Sequence, residues 1–282
     1  MKKFTNTDLI DYYDQTEVHY RMFWELEKSM GLHYGVWDDD TKNIQEAVLN
    51  LNQKLMKLGE IKSGDMVLDA GCGVGGSSIY LAKKLGCKAT GITLSGKQVA
   101  TATELAKKNG VGKLCDFQEL DYTNTGFEDA SFDVVWAIES IGSAPDKGLF
   151  FKEMKRILKP NGRMVMADTL KPQEYDIAKE QDMQMMLNGW AISDILSVQE
   201  MKDLGMKHGF TKVEVNNVSE KVKKSVSRFY FAGLAGMIGT KIYNLFKNAT
   251  PFSKIHYTTG LAQKKAYDKG KWGYYLVKFS FA

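Results

Sequence analysis

The sequence predicts an α/β fold built on a doubly wound, mostly parallel seven-stranded sheet with a helical cap. Two observations predict it. Apolar segments of strand length alternate with amphipathic segments of helix length over residues 66–168, which is typical of a parallel sheet. The first strand begins at Met66 and leads into a glycine-rich turn, Gly71 to Gly76, and then into a helix. Ligands of such sheets bind at the carboxyl ends of the strands, so we expect the functional site there.

Local patterns justify the individual elements. Aromatic residues recur at helical spacing over 4–30, and Asp38 to Thr41 offer caps for a helix over 43–58. A continuous apolar run at 132–137 indicates a strand buried on both faces, and residues 159–162 indicate a turn. The other predicted strands span 88–93, 114–119, 163–168, 212–218 and 271–279, and the other predicted helices span 77–85, 96–109, 147–158, 172–196, 198–208 and 221–270.

Composition is that of a globular protein. Of the 282 residues, 44% are hydrophobic and 26% are charged. The first eight residues turn acidic before any apolar region, and no apolar stretch approaches the roughly eighteen residues of a membrane span, so we expect neither a secretory signal nor a spanning helix. The three cysteines lack metal-ligand spacing and suit a reducing cytosol. We therefore expect a cytoplasmic protein without a metal.

Charge is distributed unevenly along the chain. Residues 216–282 contain twelve Lys and Arg against two acids, a net charge of +10, whereas the first 215 residues carry −6. A solvated basic face explains this pattern. The alternative is peripheral contact with an anionic membrane or an anionic substrate.

Three helical segments do not fit the strand–helix alternation. They span 4–30, 172–196 and 221–270, and we expect them to form a cap over the strand ends. The cap is rich in methionine and aromatic residues, which favours an apolar, adaptable pocket for a small hydrophobic acceptor. Packing of the cap onto the core would explain many of the same residues.

The glycine turn matches the pattern that binds dinucleotides, but its surroundings favour another ligand. A nicotinamide site places an acid at the end of the second strand, about twenty residues after the glycines. Here that strand ends in Thr93, Leu94 and Ser95. Asp69 stands two residues before Gly71, where it would repel a pyrophosphate. The residues favour S-adenosylmethionine, which carries a cation, an amino acid tail and no phosphate.

The sequence also resembles a known family. Residues 67–76, 91–95, 120–121, 132–140 and 156–162 together resemble the motifs of class I S-adenosylmethionine-dependent methyltransferases, whose fold is Rossmann-like. Residues 12–14, 33–38, 137–140 and 269–275 are most similar to the subgroup of γ-tocopherol, sterol and related small-molecule methyltransferases. The resemblance spans nearly the whole chain and implies methyl transfer from S-adenosylmethionine, with S-adenosylhomocysteine as product.

The resemblance also implies roles for individual residues. The end of the first strand would hold the amino acid portion of the cofactor, and the next two strand ends would hold the ribose and adenine. Asp121 would bind the adenine amino group, and three residues would close over the site as a lid. The implied cofactor-binding residues are Tyr13, Tyr34, Asp69, Gly71, Gly73, Thr93, Leu94, Gln98, Asp121, Tyr122 and Ala137, with His33 joining Tyr13 and Tyr34 in the lid.

Two residues are candidates for catalysis. Glu139 follows the fourth strand, where it would stabilise a carbocation or accept a proton, and His33 lies on the lid turn. Relatives that methylate oxygen often carry a His before Pro-Asp after this strand, and residues 142–146 contain none. This leaves C-methylation, N-methylation, or O-methylation with another base. His19, His208 and His256 lack comparable context.

The predicted organisation is a helical lid at 1–40, a Rossmann-like cofactor-binding core at 41–171 that continues at 197–219, cap segments at 172–196 and 220–270, and a last core strand at 271–282. The predicted function is methyl transfer to a small, largely apolar acceptor such as a sterol, terpenoid or prenyl-quinol. The alternatives are an O-methyltransferase of a polyketide or glycosylated natural product, an NAD-dependent oxidoreductase, and a protein that binds the cofactor without turnover. No nucleic-acid partner is expected, because residues 137–140 lack the motif of adenine methyltransferases.

Overall fold

The computed structural model describes the backbone of residues 2–24, 26–246 and 251–281. It describes the side chains of these residues except at 17–27 and 238–256. Within these ranges seven strands form one sheet. They are β1 (Met66–Ala70), β2 (Lys88–Thr93), β3 (Cys115–Glu119), β4 (Phe132–Ile138), β5 (Leu158–Leu170), β6 (Lys212–Asn217) and β7 (Gly273–Ser280).

Helices cover the sheet on both faces and at one end. They are α1 (Asn6–Trp24), α2 (Leu26–Ser29), α3 (Ile44–Leu58), α4 (Gly76–Leu85), α5 (Gly96–Lys108), α6 (Lys147–Ile157), α7 (Gln181–Gly189), α8 (Val198–Lys207), α9 (Ser219–Phe246) and α10 (Pro251–Asp268).

The strand order confirms the predicted doubly wound sheet. The order is β3-β2-β1-β4-β5-β7-β6, with β7 antiparallel to both of its neighbours and the other pairs parallel. The order reverses between β1 and β4, and a crevice forms at such a reversal, outside the carboxyl ends of the strands. The turns that follow β1 and β4 therefore face each other across this crevice.

Strand β4 carries the centre of the core. Val134 and Trp136 pack into one apolar cluster with Leu51 of α3, whereas Val135 packs into a second cluster with Phe150 of α6. All five side chains are fully buried, and each contributes about 1.5–3 kcal/mol through burial. This two-sided burial explains why the strand is a continuous apolar run in the sequence.

Two predictions of local structure differ from the fold. The predicted helix over 172–196 is reduced to a 3-10 turn at Ile177–Lys179 and the nine residues of α7, and the rest is irregular chain. The predicted turn at 159–162 is an excursion inside β5, because the pairing with β4 jumps from Leu158 to Arg163. The methionine and apolar content of this segment predicted a helix that extends beyond α7. In the structure α7 ends at Gly189, with Trp190 as its C-cap residue.

The cap is built from α1, α7, α9 and α10. Helices α9 and α10 pack closely, and α7 and α1 pack against α10. A Cβ at Gly260 would lie 2.5 Å from the carbonyl oxygen of Phe229, and one at Gly233 would lie 2.8 Å from that of Tyr257. These two glycines therefore allow α9 and α10 to approach each other closely.

The basic C-terminal segment pairs with acids from the rest of the chain. Lys221 pairs with Asp38, and Lys271 pairs with Glu180. Lys269 and Lys278 pair in the same way with Asp182 and Glu60. The charge asymmetry along the sequence is thus partly neutralised by folding.

None of the helices in the described residues is a candidate for a membrane-spanning segment.

Candidate active site

The glycine-rich turn joins β1 to α4 at the sheet reversal. Gly71 and Gly73 adopt φ values of +89° and +53°, which L side chains rarely do. The Gly71 N–H donates to the Ile92 carbonyl at 3.0 Å, which ties the turn to the end of β2. A Cβ at Gly71 would lie 2.6 Å from the Cβ of Ser140, so the turn also lies directly against the chain that follows β4.

Asp69 lies on β1, beside this turn. Its carboxylate is only 2% exposed and accepts a hydrogen bond of 2.7 Å from the Ser78 hydroxyl on α4. Burial raises the pKa of Asp69 to about 6, although the Ser78 hydrogen bond opposes the shift. A buried carboxylate here favours a ligand that presents a cation or hydrogen-bond donors.

The end of β2 forms the adjoining wall of the cleft. Thr93, Leu94 and Gln98 all line it, and their contact with a cofactor stays a prediction. The Thr93 hydroxyl donates to the Gln98 Oε1 at 2.6 Å, and Ser95 caps α5 through the Gln98 N–H. This contact fixes the Gln98 amide at the rim of the cleft.

The chain after β3 also borders the cleft. Tyr122 lines the cleft and donates to the Ser140 carbonyl at 3.0 Å. The Asp121 carboxylate instead binds the Asn6 amide at 2.7 Å and the Thr123 hydroxyl at 2.6 Å, and Asp121 lies outside the lining formed by the described residues. Ala137 is buried within β4, also outside that lining. The adenine contact of Asp121 stays a prediction.

Glu139 follows β4 and faces the cleft with a strained backbone, φ +50°. Its Oε1 accepts hydrogen bonds of 2.7 Å from both the Tyr34 N–H and the Tyr274 hydroxyl. Its N–H donates to the Ala167 carbonyl at 2.8 Å, which holds the strained residue against β5. Burial raises the pKa of Glu139 to about 8, and the nearby Asp168 carboxyl adds to the shift.

Asp168 is a cleft residue that the sequence reasoning did not single out. The register of β4 with β5 places it beside Glu139, and it lines the cleft. Its carboxylate accepts the N–H groups of Ile141 and Thr169 at 3.2 and 2.7 Å. Burial raises its pKa to about 6. Asp168 has the same sequence pattern as Asp69, which is an acid near the carboxyl end of an apolar strand. That pattern would have indicated Asp168 as a candidate site residue.

His33 also lines the cleft, on the turn before α3. Its Nδ1 lies 2.8 Å from the Tyr34 carbonyl, so Nδ1 carries the proton and donates. Burial lowers the pKa of His33 to about 4, which leaves the ring neutral at pH 7. His208 is partly buried and stacks on Phe151, outside the cleft lining. The side chains of His19 and His256 lie outside the described residues.

Aromatic rings form the wall of the cleft toward the cap. Tyr34 is 1% exposed, and its ring contacts those of Trp190 and Phe229 edge-on, with centroids 6.2 and 5.5 Å apart. Its hydroxyl donates to the Gln263 Oε1 on α10. Tyr34 is therefore an anchored part of the wall, and Tyr13 of α1 lines the cleft as well.

The cleft contains no basic side chain except neutral His33 among the described lining residues. Its empty volume is about 1390 Å³, which includes space open to solvent. Three acids line it: Asp69, Glu139 and Asp168. These residues fit S-adenosylmethionine, which brings a sulfonium and an ammonium, and they do not fit a pyrophosphate.

Known proteins resemble this chain in sequence and in fold. Residues 68–166 match a methyltransferase-domain family. The chain is 30% identical over 218 residues to Methyltransferase GfsG of Streptomyces halstedii, and the match covers 76% of each chain. The chain is a member of the S-adenosylmethionine-dependent methyltransferases. The cofactor of this methyltransferase is thus S-adenosylmethionine, and the match decides against the nicotinamide alternative.

Two further similarities place the methyltransferase among its relatives. It is 38% identical over 139 residues to 27-O-demethylrifamycin SV methyltransferase of Amycolatopsis mediterranei, a match that covers 49% of this chain and 51% of the relative. The chain thus spans about half the length of that relative. Its fold matches the crystal structure of the [4+2]-cyclase SpnF with a TM-score of 0.84 at 20% identity, covering 100% and 98% of the two chains. At that identity the likeness shows the fold alone.

Proposed function

We propose that this enzyme transfers a methyl group to carbon or nitrogen of a small, largely apolar acceptor, in preference to His-assisted transfer to oxygen. The proposal rests on the position of Glu139, whose carboxyl lies in the cleft that Tyr34, Trp190 and Phe229 also line. The chain after β4 supplies no histidine at residues 142–146, which is where oxygen-methylating relatives carry their base.

The cofactor would lie along the ends of β1, β2 and β3. Asp69 and the backbone at Gly71 and Gly73 would hold its amino acid portion, and Thr93, Leu94 and Gln98 would contact its ribose and adenine. Tyr122 would pack near the adenine, with Asp121 in reach once Asn6 moves. When bound, S-adenosylmethionine supplies an electrophilic methyl group on a positively charged sulfur.

Glu139 would act on the acceptor with its second carboxylate oxygen. Oε1 is held by Tyr34 and Tyr274, whereas Oε2 has no hydrogen-bond partner among the described residues. A carboxylate that is fixed at one oxygen keeps the other oriented, and its raised pKa favours proton uptake near neutral pH. The Tyr34 and Tyr274 donors thus position the base.

His33 would assist at the lid turn. Because Nδ1 donates to the Tyr34 carbonyl, a proton acceptor on this ring must be Nε2. We propose that His33 orients the acceptor or receives its proton, while Glu139 carries the main charge stabilisation.

O-methylation of a polyketide-like acceptor is the second candidate. The name of the relative at 38% identity, 27-O-demethylrifamycin SV methyltransferase, favours it. In that case Glu139 or Asp168 would accept the hydroxyl proton.

A screen with labelled cofactor tests the proposal. Purified protein is incubated with methyl-labelled S-adenosylmethionine and sterol, prenyl-quinol, polyketide and amine acceptors, and products are scored by mass and by the position of the label. We expect label on carbon or nitrogen of an apolar acceptor. Label on oxygen alone would establish the second candidate instead.

The Glu139→Gln variant tests the role of the base with whichever acceptor is found. We expect turnover to fall by about 10²–10⁴-fold, the usual contribution of a general base, while affinity for S-adenosylhomocysteine changes less than about threefold. The exposed Glu128→Gln is the matched control. Unchanged turnover in Glu139→Gln would return Glu139 to a purely structural role.

We also keep the cytoplasm as the proposed location. All three cysteines, Cys72, Cys87 and Cys115, are free thiols, which suits a reducing compartment.

A further inference from the structure

We propose that the acceptor is an amine that binds as its ammonium between Glu139 and Asp168, within the aromatic wall of the cleft. This inference rests on the proposed function and narrows it to one substrate class.

The two acids form one surface. Glu139 and Asp168 stand side by side at the ends of adjacent parallel strands, and both side chains line the cleft. Glu139 Oε1 and both oxygens of the Asp168 carboxylate accept hydrogen bonds from protein groups. Glu139 Oε2 accepts none from the described residues, so it can accept a hydrogen bond from a ligand. Two carboxyls brought together in a buried site repel each other unless a proton or a cation lies between them.

The part of the chain that the structure describes supplies no such cation within the cleft. No Lys or Arg lines it among the described residues, and His33 is neutral. Lys147 favours the charged form of Asp168, but it lies outside the cleft lining, where its Nζ donates to the carbonyls of Gly142 and Ala144. An acceptor that carries phosphate or carboxylate would therefore be repelled, and one that carries an ammonium would be attracted.

The walls suit the same ligand. Tyr34, Trp190 and Phe229 meet edge-on beside Glu139, and Tyr13 approaches from α1. Aromatic faces attract ammonium groups, more strongly when the site excludes water. Ser140 adds a buried hydroxyl oxygen that has no partner within the described structure and lies in the same lining. Together these groups would recognise a lipophilic amine.

The proton balance of the reaction follows from this arrangement. The bound ammonium passes one proton to Glu139 and becomes a free amine. Its nitrogen lone pair then forms the N–C bond while the bond between the methyl group and sulfur breaks, and the electron pair of that bond stays on sulfur. The product leaves as a methylated ammonium, and Glu139 returns its proton to solvent.

A matched set of probes tests the inference without turnover. We would measure calorimetric binding of 4-phenylbutylamine, 4-phenylbutanol and 4-phenylbutyrate to protein loaded with S-adenosylhomocysteine. We expect the amine to bind about tenfold or more tightly than the alcohol, and the carboxylate to bind most weakly. Asp168→Asn and Glu139→Gln should each lose most of the preference for the amine, whereas exposed Glu128→Gln should keep it.

Equal binding of amine and alcohol, tighter binding of the carboxylate, or no detectable binding of the amine would overturn the inference. The comparison within the wild-type protein decides the question even if a variant fails to fold. Label found on carbon of an uncharged acceptor would overturn the proposal that the acceptor is an amine. The proposed function would still stand. Failure to methylate any acceptor would instead count against the proposed function.

Discussion

At the scale of single residues, Asp69 illustrates how burial and chemistry combine. Among the described residues, its carboxylate lies on a core strand with one side-chain partner, Ser78, and faces a cleft lined by two further acids. Keeping such a group unprotonated in the interior costs free energy, so it persists where a ligand compensates. The raised pKa of Asp69 records that cost in the absence of a ligand.

We predict that Asp69→Ala reduces affinity for S-adenosylmethionine by about 100-fold or more, because removing one partner of a buried charged contact costs about 2–5 kcal/mol. Calorimetry measures the affinity, and circular dichroism with thermal melting checks the fold. Ser78→Ala is the control, since it removes the partner but keeps the carboxylate, and we expect a smaller loss. Full affinity in Asp69→Ala would show that the acid serves only to shape the turn.

At the scale of elements, the sequence predicts the strands better than the cap. Strand β2 begins and ends where its pattern predicts, and β4 differs by one residue, because apolar runs and glycine turns are local signals. The cap depends on contacts between distant segments, so α7 proves shorter than its composition indicates. The same reason explains which site residues the sequence could indicate. Asp69 and Thr93 belong to local motifs, whereas the pairing of Glu139 with Asp168 depends on the register of β4 with β5.

The packing of α9 on α10 leads to a prediction about the aromatic wall. A Cβ at Gly260 would collide with the Phe229 carbonyl, whereas one at Gly236 would lie at an ordinary 3.5 Å from the Tyr257 Cβ. Gly260→Ala should therefore separate the helices, destabilise the protein by about 1–3 kcal/mol and weaken binding of the amine probe through Phe229. Gly236→Ala should be neutral or slightly stabilising. Chemical denaturation compares the two variants, and equal stabilities would contradict the close approach.

The N-terminal strap, residues 4–6 with the start of α1, leads to a second prediction at this scale. The Phe4 N–H donates to the Ser193 hydroxyl of the cap at 2.9 Å, and the Asn6 amide donates to Asp121 of the core at 2.7 Å. Asn6→Ala should speed hydrogen exchange of the first turns of α1 by about tenfold or more, since a hydrogen bond to a charged group contributes about 1.5–3 kcal/mol. Exposed Asp11→Ala on the same helix is the control. Identical exchange in both variants would mean that the strap is held by its apolar packing alone.

At the scale of the whole molecule, folding concentrates negative charge in the cleft and neutralises positive charge elsewhere. Four lysines of the basic C-terminal segment pair with acids of the first 215 residues, while three acids line the cleft. Surface pairs of this kind contribute little free energy each, whereas burial raises the pKa values of the cleft acids. Stability should therefore respond to pH mainly through the buried groups of the cleft.

We predict that the ligand-free protein becomes less stable as pH rises from about 6.5 to about 8, and that Glu139→Gln flattens this slope. Burial raises the pKa of Glu139 to about 8, with the Asp168 carboxyl adding to the shift and the hydrogen bonds from Tyr34 and Tyr274 opposing it. The folded protein therefore keeps a proton that the unfolded chain has lost from about pH 4.5 upward. The stabilisation is complete below the unfolded pKa and is lost as pH rises through the folded one, with a slope of up to about 1.4 kcal/mol per pH unit. His33, with its pKa lowered to about 4, acts in the opposite sense, but only below about pH 6.5, and the shifts of Asp69 and Asp168 end near pH 6.

Urea unfolding at pH 6.5, 7.0, 7.5 and 8.0 measures this slope directly, with Glu128→Gln as the exposed control. We expect the wild type and Glu128→Gln to lose stability together across the series, while Glu139→Gln stays level, because the amide cannot ionise. Saturating 4-phenylbutylamine should also reduce the slope in the wild type, since an ammonium beside Glu139 favours its ionised form. A wild-type slope that persists in Glu139→Gln would show that the titrating group is not Glu139 and would separate the stability of the fold from the chemistry proposed for this residue.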